Sequence, residues 1–179
     1  MKLTVLDNVI SEGYQNYLSE QFTSNSFAWY YTPGATFLEA EEDKNTAFSS
    51  LLFLNADERQ HKNPCCDSLY PLLFEGISKY KEGAELKFLY RIKAGMFIRN
   101  QTDKPHIPHV DLKNNKHYTL LYYVIDSDGP TKFYNGDNVF KQVDPKKGRA
   151  VIFPGDIYHA SASPRQHPNR ITLNINFLI

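Results

Sequence analysis

His109 and Asp111 lie two positions apart in the stretch His106-Ile-Pro-His-Val-Asp-Leu112. Side chains alternate along an extended strand, so both would leave the same face. An imidazole and a carboxylate on one face can grip one metal ion, but two protein ligands make only a weak site. A third is offered by Pro154-Gly-Asp-Ile-Tyr-His159. There Ala150-Val-Ile-Phe153 reads as a buried strand, Pro154-Gly-Asp156 turns the chain, and His159 follows as the next strand begins. Two histidines and one carboxylate are the ligand set of facial non-haem iron(II) centres. Catalytic zinc sites draw on the same ligand types, so ligand chemistry alone leaves both metals open.

The last strand supplies the surroundings. In Arg170-Ile-Thr-Leu-Asn-Ile-Asn-Phe-Leu-Ile179, the residues Ile171, Leu173, Ile175 and Phe177 share one face. Arg170, Thr172, Asn174 and Asn176 share the other. Asn is disfavoured in strands, whereas solvent-facing strand positions favour Lys, Glu and Thr, so this polar row reads as the lining of a cavity. A guanidinium fork recognises a carboxylate at two points, and Arg170 at the head of the row would anchor an acidic co-substrate. Of the other histidines, His61, His117 and His167 read as exposed, and His106 as a residue of the pocket rim.

These residues need a scaffold of strands. Before residue 84 the chain reads as support: a strand over 2–10, a helix over 12–22 behind Ser11, and a strand over 27–31. An acidic solvated loop over 38–45, a buried strand over 47–54 and a mobile polar loop over 55–64 follow. A helix capped by Asp67 comes next, with Leu69, Leu72, Leu73, Ile77 and Tyr80 as its buried stripe. From residue 84 the period changes, with strands over 86–98, 118–125, 131–134, 139–143, 150–153 and 171–178. Turn signals such as Asn135-Gly-Asp137 and Asp144-Pro-Lys-Lys-Gly148 separate them. Many short strands with no helix between them predict an antiparallel barrel or jelly roll, with the N-terminal helices packed on one outer face. Residues 1–179 form one domain in this reading, 1–83 supporting and 84–179 forming the barrel.

Composition narrows the function classes. Lys plus Arg equals Asp plus Glu at 20 each, so the formal net charge is zero and the basic footprint of a nucleic-acid binder is missing. The two cysteines, Cys65 and Cys66, are adjacent and imply no disulfide framework. The first residues lack the apolar region of a signal peptide, and no apolar run approaches the ~20 residues that span a bilayer. A soluble, cytoplasmic protein is expected.

The ordered set His109, Asp111, His159 and Arg170 resembles the iron(II)- and 2-oxoglutarate-dependent oxygenases, in their prolyl 4-hydroxylase-like branch of small phage and bacterial type. Thr119-Leu-Leu-Tyr-Tyr123, Asp128-Gly-Pro-Thr-Lys-Phe133, Val151-Ile-Phe-Pro154 and Arg170-Ile-Thr-Leu-Asn174 carry the likeness further. The resemblance implies a mainly β fold, a double-stranded β-helix or cupin-like jelly roll with flanking helices. It also implies Fe(II) held by His109, Asp111 and His159, with 2-oxoglutarate as co-substrate and ascorbate as a candidate accessory. It places Arg170 and Tyr123 at the distal carboxylate of 2-oxoglutarate, with Asn176 and Lys93 as further co-substrate contacts. Relatives often carry a co-substrate tyrosine after an arginine and three residues before a glycine. Arg91 and Gly95 keep that frame here, but Ile92 fills the slot and Lys93 is the substitute. The stretch from Gly95 to Pro108 is expected to form a lid. Nucleobase-demethylating relatives carry a second arginine where this chain has Asn176, so nucleic acid is not the expected substrate.

The reaction so implied hydroxylates a protein or peptide side chain, proline among them, or a small molecule, consuming O2 and releasing succinate and CO2. Two other classes compete: a non-catalytic, cupin-like protein that binds a metal or a small acid, and a zinc hydrolase on the same three ligands. No general base stands beside His109 for hydrolysis, and Arg170 would have no task in it.

Overall fold

The computed structural model describes residues 3–32, 47–56, 59–100 and 106–179. Strand β1 (Thr4–Leu6) leads into helix α1 (Glu12–Thr23), which buries Leu18 and Phe22, one turn apart. Ser11 occupies the N-cap position without a side-chain capping bond. Next come β2 (Tyr30–Thr32), β3 (Ala47–Ala56) and β4 (Arg59–Lys62). The acidic stretch over 38–45 lies outside the described residues.

Two local expectations are corrected here. The polar run over 55–64 contains β4, which pairs with the end of β3 from Phe53↔Lys62 to Ala56↔Arg59. Arg-Gln-His-Lys has no apolar alternation, so only the partner strand reveals it. A 3-10 turn (Pro64–Leu69) capped by Asn63 runs into helix α2 (Tyr70–Tyr80), whose N-cap is Leu69, without a side-chain bond, rather than Asp67. The Asn63 side chain accepts the Cys65 N–H at 3.0 Å, with Pro64 filling the first helical position, where no N–H is needed. Asp67 instead pairs with Lys62 at 2.6 Å.

The remaining strands are β5 (Phe88–Ile98), β6 (Tyr118–Tyr123), β7 (Thr131–Asn135), β8 (Asn138–Val143), β9 (Ala150–Pro154), β10 (Tyr158–Ser161) and β11 (Asn169–Leu178). They build two antiparallel sheets. The larger runs β1-β9-β6-β11-β5-β3-β2, with β4 on β3, and the smaller runs β10-β7-β8. A two-residue bridge between His109 and His159 widens the smaller sheet. This is the jelly roll that the strand pattern predicts.

The large sheet divides two environments. Ile171, Leu173, Ile175 and Phe177 share one buried cluster with Leu120 and Ile152 and with Leu18, Phe22, Leu72, Leu73 and Ile77 of the helices. Gly76 permits that approach, since a Cβ there would stand 2.4 Å from Leu120 Cδ1. On the other face Leu121, Tyr123, Phe133, Val151 and Phe153 fill part of the space between the sheets. Each large apolar side chain on β11 contributes about 1.5–3 kcal/mol by burial. A one-residue slip would expose all four and drive Arg170, Asn174 and Asn176 into the apolar core, so packing fixes the register that aims the polar row. Among the described residues, no helix is long and apolar enough to cross a membrane.

Candidate active site

Strand register sets the floor of the site. β11 lies between β5 and β6, so its polar row is flanked rung by rung. Arg170 faces Phe97, Thr172 lies between Gly95 and Tyr123, Asn174 between Lys93 and Leu121, and Asn176 between Arg91 and Thr119. Opposite, the smaller sheet contributes His159 and Ser161, which pair with Phe133 and Thr131. Together they enclose a cavity of about 150 Å³ lined by Lys93, His109, Asp111, Thr131, His159, Arg170 and Asn174, among others. That lies below the ~300 Å³ lower end for drug-sized ligands and suits a small acid.

At one end, donor atoms of His109, Asp111 and His159 all lie within 4.8 Å of one another. The backbone sets the two imidazoles side by side: each residue's N–H donates to the other's carbonyl at 3.0 Å. Their ring centroids are 4.7 Å apart. The His109 Nδ1 lies 3.1 Å from the Ile107 carbonyl, and the His159 Nδ1 lies 3.2 Å from that of Ile157. A carbonyl only accepts, so in each neutral ring Nδ1 carries the proton and Nε2 the lone pair. Burial, with the charge of His159 beside it, pushes His109 down to about 4. It is therefore a neutral ligand at physiological pH.

Asp111 is held by four side chains. Arg91 Nη2 donates to Oδ1 at 3.0 Å, and Thr119 Oγ1 donates to Oδ2 at 2.9 Å. The Asn174 amide donates to both oxygens, at 3.0 and 3.2 Å, and Asn176 Nδ2 donates to Oδ2 at 3.1 Å. Arg91 Nε also donates to Asn176 Oδ1 at 3.0 Å, which fixes that amide in turn. Burial opposes ionisation of Asp111, but His159, Arg91, His109 and the Thr119 hydroxyl outweigh it and hold the carboxyl well below the usual range.

The other end is built differently. Arg170 is 1% exposed, yet among the described residues no carboxylate pairs with it. Its Nη2 donates to Thr131 Oγ1 at 2.7 Å, and its Nε is buried without a partner. The guanidinium carbon sits 5.7 Å from the Phe97 ring centre and 5.4 Å from that of Tyr123. A buried cation supported by two rings and the hydroxyls of Thr131 and Tyr123 lacks the anion that would balance it.

The chain belongs to the 2OG-Fe(II) oxygenase superfamily. The family model for that superfamily matches residues 88–178, the stretch from β5 through β11. Membership implies Fe(II) and 2-oxoglutarate, and the residues present fit both: three clustered donors at one end, an unbalanced buried cation at the other. No curated protein sequence matches the chain significantly. Solved structures share the fold. An oxidoreductase of the same family from Burkholderia pseudomallei superposes with a TM-score of 0.73 at 12% identity, covering 98% of this chain and 84% of that one. A Trichoplax adhaerens prolyl hydroxylase, solved with a peptide from the oxygen degradation domain of hypoxia inducible factor, gives 0.67 at 14%, covering 98% and 83%. A Pseudomonas putida prolyl-4-hydroxylase gives 0.65 at 12%, covering 99% and 92%.

Other expected site residues of the oxygenase are placed less simply. Tyr123 is fully buried between the sheets, and its hydroxyl donates to Thr131 Oγ1 at 2.7 Å. It therefore backs Arg170 and Thr131 rather than lining the cavity. Asn176, expected at the co-substrate, turns to Asp111 and Thr119 instead, donating to Thr119 Oγ1 at 3.0 Å. Lys93 does line the cavity, while Ile92 on the alternate face is buried in the helix-side core. His117 is 4% exposed, not solvated: its ring packs where a Cβ on Gly155 would come within 2.2 Å. His106 is likewise buried, with ring nitrogens near Ser161 and Ser163 at 3.1 and 3.4 Å. Of the expected lid, Gly95–Ile98 belongs to β5, and residues 101–105 lie outside the described residues.

The sequence offers Arg91 only as part of a frame, and Thr119 and Thr131 only within matching stretches, with no role assigned to any of them. Arg91 was visible by periodicity, since it stands two before Lys93 and four before Gly95 on one strand face. Thr131 had no local signal, because its role arises only when the two sheets face each other.

Proposed function

We propose that this chain is an Fe(II)- and 2-oxoglutarate-dependent hydroxylase acting on a protein or peptide side chain, with prolyl peptides the first class to try. The observation that carries the reading is the buried, carboxylate-less Arg170 sharing one small cavity with three clustered metal-type donors. Prolyl hydroxylases among the fold neighbours motivate the substrate class.

His109 Nε2, His159 Nε2 and an Asp111 oxygen would hold the iron. Iron held there would supply the redox chemistry that couples decarboxylation of 2-oxoglutarate to hydroxylation of a substrate C–H bond. Everything else falls to the protein. Arg170 pairs with the distal carboxylate of 2-oxoglutarate, and the Thr131 hydroxyl, already accepting from Arg170 and Tyr123, turns its own hydrogen to the same group. Arg91, Thr119, Asn174 and Asn176 keep Asp111 ionised and oriented, so it needs no reorganisation as the metal enters. Phe153 packs edge-on against His159 and Phe133 lies tilted beside it, with ring centres 5.0 and 6.2 Å away, and they keep bulk water from that side. Ascorbate belongs to this reading as an accessory reductant.

Aerobic incubation with Fe(II), 2-oxoglutarate and a prolyl-peptide library tests the proposal. Succinate should form, and a peptide should gain the mass of one oxygen atom. Succinate formation that survives Asp111→Ala would sink the assignment.

A further inference from the structure

Lys93 is the cation of the cavity that the reaction above does not use. It stands on β5 directly across from Asn174, at the level of the donors that grip Asp111 and four residues along the ladder from the Arg170 rung. At ~3.3 Å per residue those rungs are about 13 Å apart, so the two cations rise from well-separated points of the cavity floor. Burial and the neighbouring Arg91 charge push the Lys93 ammonium below its ordinary range, and only the through-space charge of Asp111 acts the other way. Among the described residues, no side chain accepts a hydrogen bond from it.

Asn174 supplies a second, independent observation. Its Nδ2 donates to both Asp111 oxygens, which fixes the amide's orientation, since the carbonyl end would repel a carboxylate. The Oδ1 is thereby turned away from Asp111, buried and without a partner. An orphaned acceptor and an unmatched ammonium thus lie on adjacent strands, on one face of one cavity. Charge points the same way. Iron(II), its single carboxylate ligand, doubly charged 2-oxoglutarate and Arg170 balance to zero. Arg91 and Lys93 are then both in excess; Arg91 already donates to Asp111 and Asn176, whereas among the described residues no side chain accepts from Lys93.

We propose that Lys93 and Asn174 form a subsite for the primary substrate, binding a carboxylate through the Lys93 ammonium and an adjoining N–H or O–H through Asn174 Oδ1. The substrate class is therefore acidic, either a small carboxylic acid or a peptide with an acidic side chain beside the oxidised residue. This inference rests on the oxygenase reading above.

Anaerobic calorimetry on the protein loaded with Fe(II) and 2-oxoglutarate tests it with four probes. N-acetylglycine and its neutral amide represent a small acid, and N-acetylglutamate α-amide and N-acetylglutaminamide represent an acidic side chain within a peptide. One acid should bind at least about tenfold tighter than its neutral partner, as a charge-assisted contact in a partly buried site warrants, and which one does so names the source. Lys93→Met should erase the preference and Lys93→Arg should keep part of it. Equal binding of acid and amide, no binding of either, or a preference that survives Lys93→Met would overturn the proposal. So would a loss of 2-oxoglutarate affinity in Lys93→Met as large as the loss of acid affinity, which would assign Lys93 to the co-substrate. Failure of the underlying reading looks different: wild-type protein would then take up no Fe(II) and 2-oxoglutarate before any probe is added.

Discussion

Asp111 and Arg170 are opposite charges buried in one cavity, and the fold treats them in opposite ways. Asp111 accepts from Arg91, Thr119, Asn174 and Asn176 before any ligand arrives. Among the described residues Arg170 meets only the hydroxyls of Thr131 and Tyr123, and keeps a buried Nε without an acceptor. The difference separates what the protein must fix from what a ligand must complete. A metal ligand needs one orientation in advance, so its surroundings are finished. A guanidinium that captures a dicarboxylate must keep donors in reserve, and the apoprotein carries the cost of a cation without a counter-ion.

The widest separation between the two ends should come from paired substitutions. Asp111→Ala strands four donors and should destabilise the apoprotein by about 3–5 kcal/mol in urea unfolding. Arg170→Met removes an unbalanced buried charge and should leave apoprotein stability unchanged or raised, while weakening 2-oxoglutarate binding roughly 100-fold by calorimetry. If both variants lose stability equally, the contrast between a completed and an awaiting end is wrong.

Asn176 sharpens the boundary between them. Asn176→Ala should cost about 1–3 kcal/mol of stability and weaken iron binding about 10–100-fold, because Asp111 and Thr119 lose its amide. At saturating iron its effect on 2-oxoglutarate affinity should be the smaller one; the reverse order would make Asn176 a co-substrate contact after all.

A pH titration reads the metal end alone. His109 is held at about 4 in the fold, against ~6.5 in an unfolded chain, so between these values the unfolded chain binds more protons. The stability this contributes is present above pH ~6.5 and is lost as pH falls toward 4. Urea midpoints of the apoprotein should drop across that window, and His109→Ala should flatten the slope.

Asp128 repeats the Asp111 device at the surface, and its effect should be the smallest. It accepts the backbone N–H groups of Arg165, Gln166 and His167 at 3.0, 2.9 and 3.1 Å. Burial opposes its charge, but those bonds and the His167 ring hold the carboxyl well below its usual range. Its contribution is present above pH ~3.9 and fades as pH falls further. Asp128→Asn should lower the melting temperature less than Asp111→Ala, and should loosen hydrogen-exchange protection at residues 165–167 first.

Much of this was legible because alternation is a local property. The apolar set on β11 told which side chains would be buried, and the same count put Arg170, Thr172 and Asn174 into the cavity. Helix α1 shows in the helical spacing of Tyr14, Tyr17, Leu18 and Phe22. What escaped the sequence depends on partners far along the chain. β4 is polar throughout and exists through its pairing with β3. His117 is buried because Gly155, 38 positions later, leaves room for its ring. Asn176 sits in the polar row as expected, but whether it meets a ligand or Asp111 depends on where residue 111 crosses the sheet.

The central claim is that the two ends hold one metal and one dicarboxylate together. Adding 2-oxoglutarate to the anaerobic Fe(II) protein should raise a weak visible metal-to-ligand charge-transfer band. That band should vanish in His159→Ala and should demand far more 2-oxoglutarate in Arg170→Met. Wild-type protein that takes up iron and 2-oxoglutarate without the band, or an Arg170→Met titration that overlays the wild type, would contradict the account.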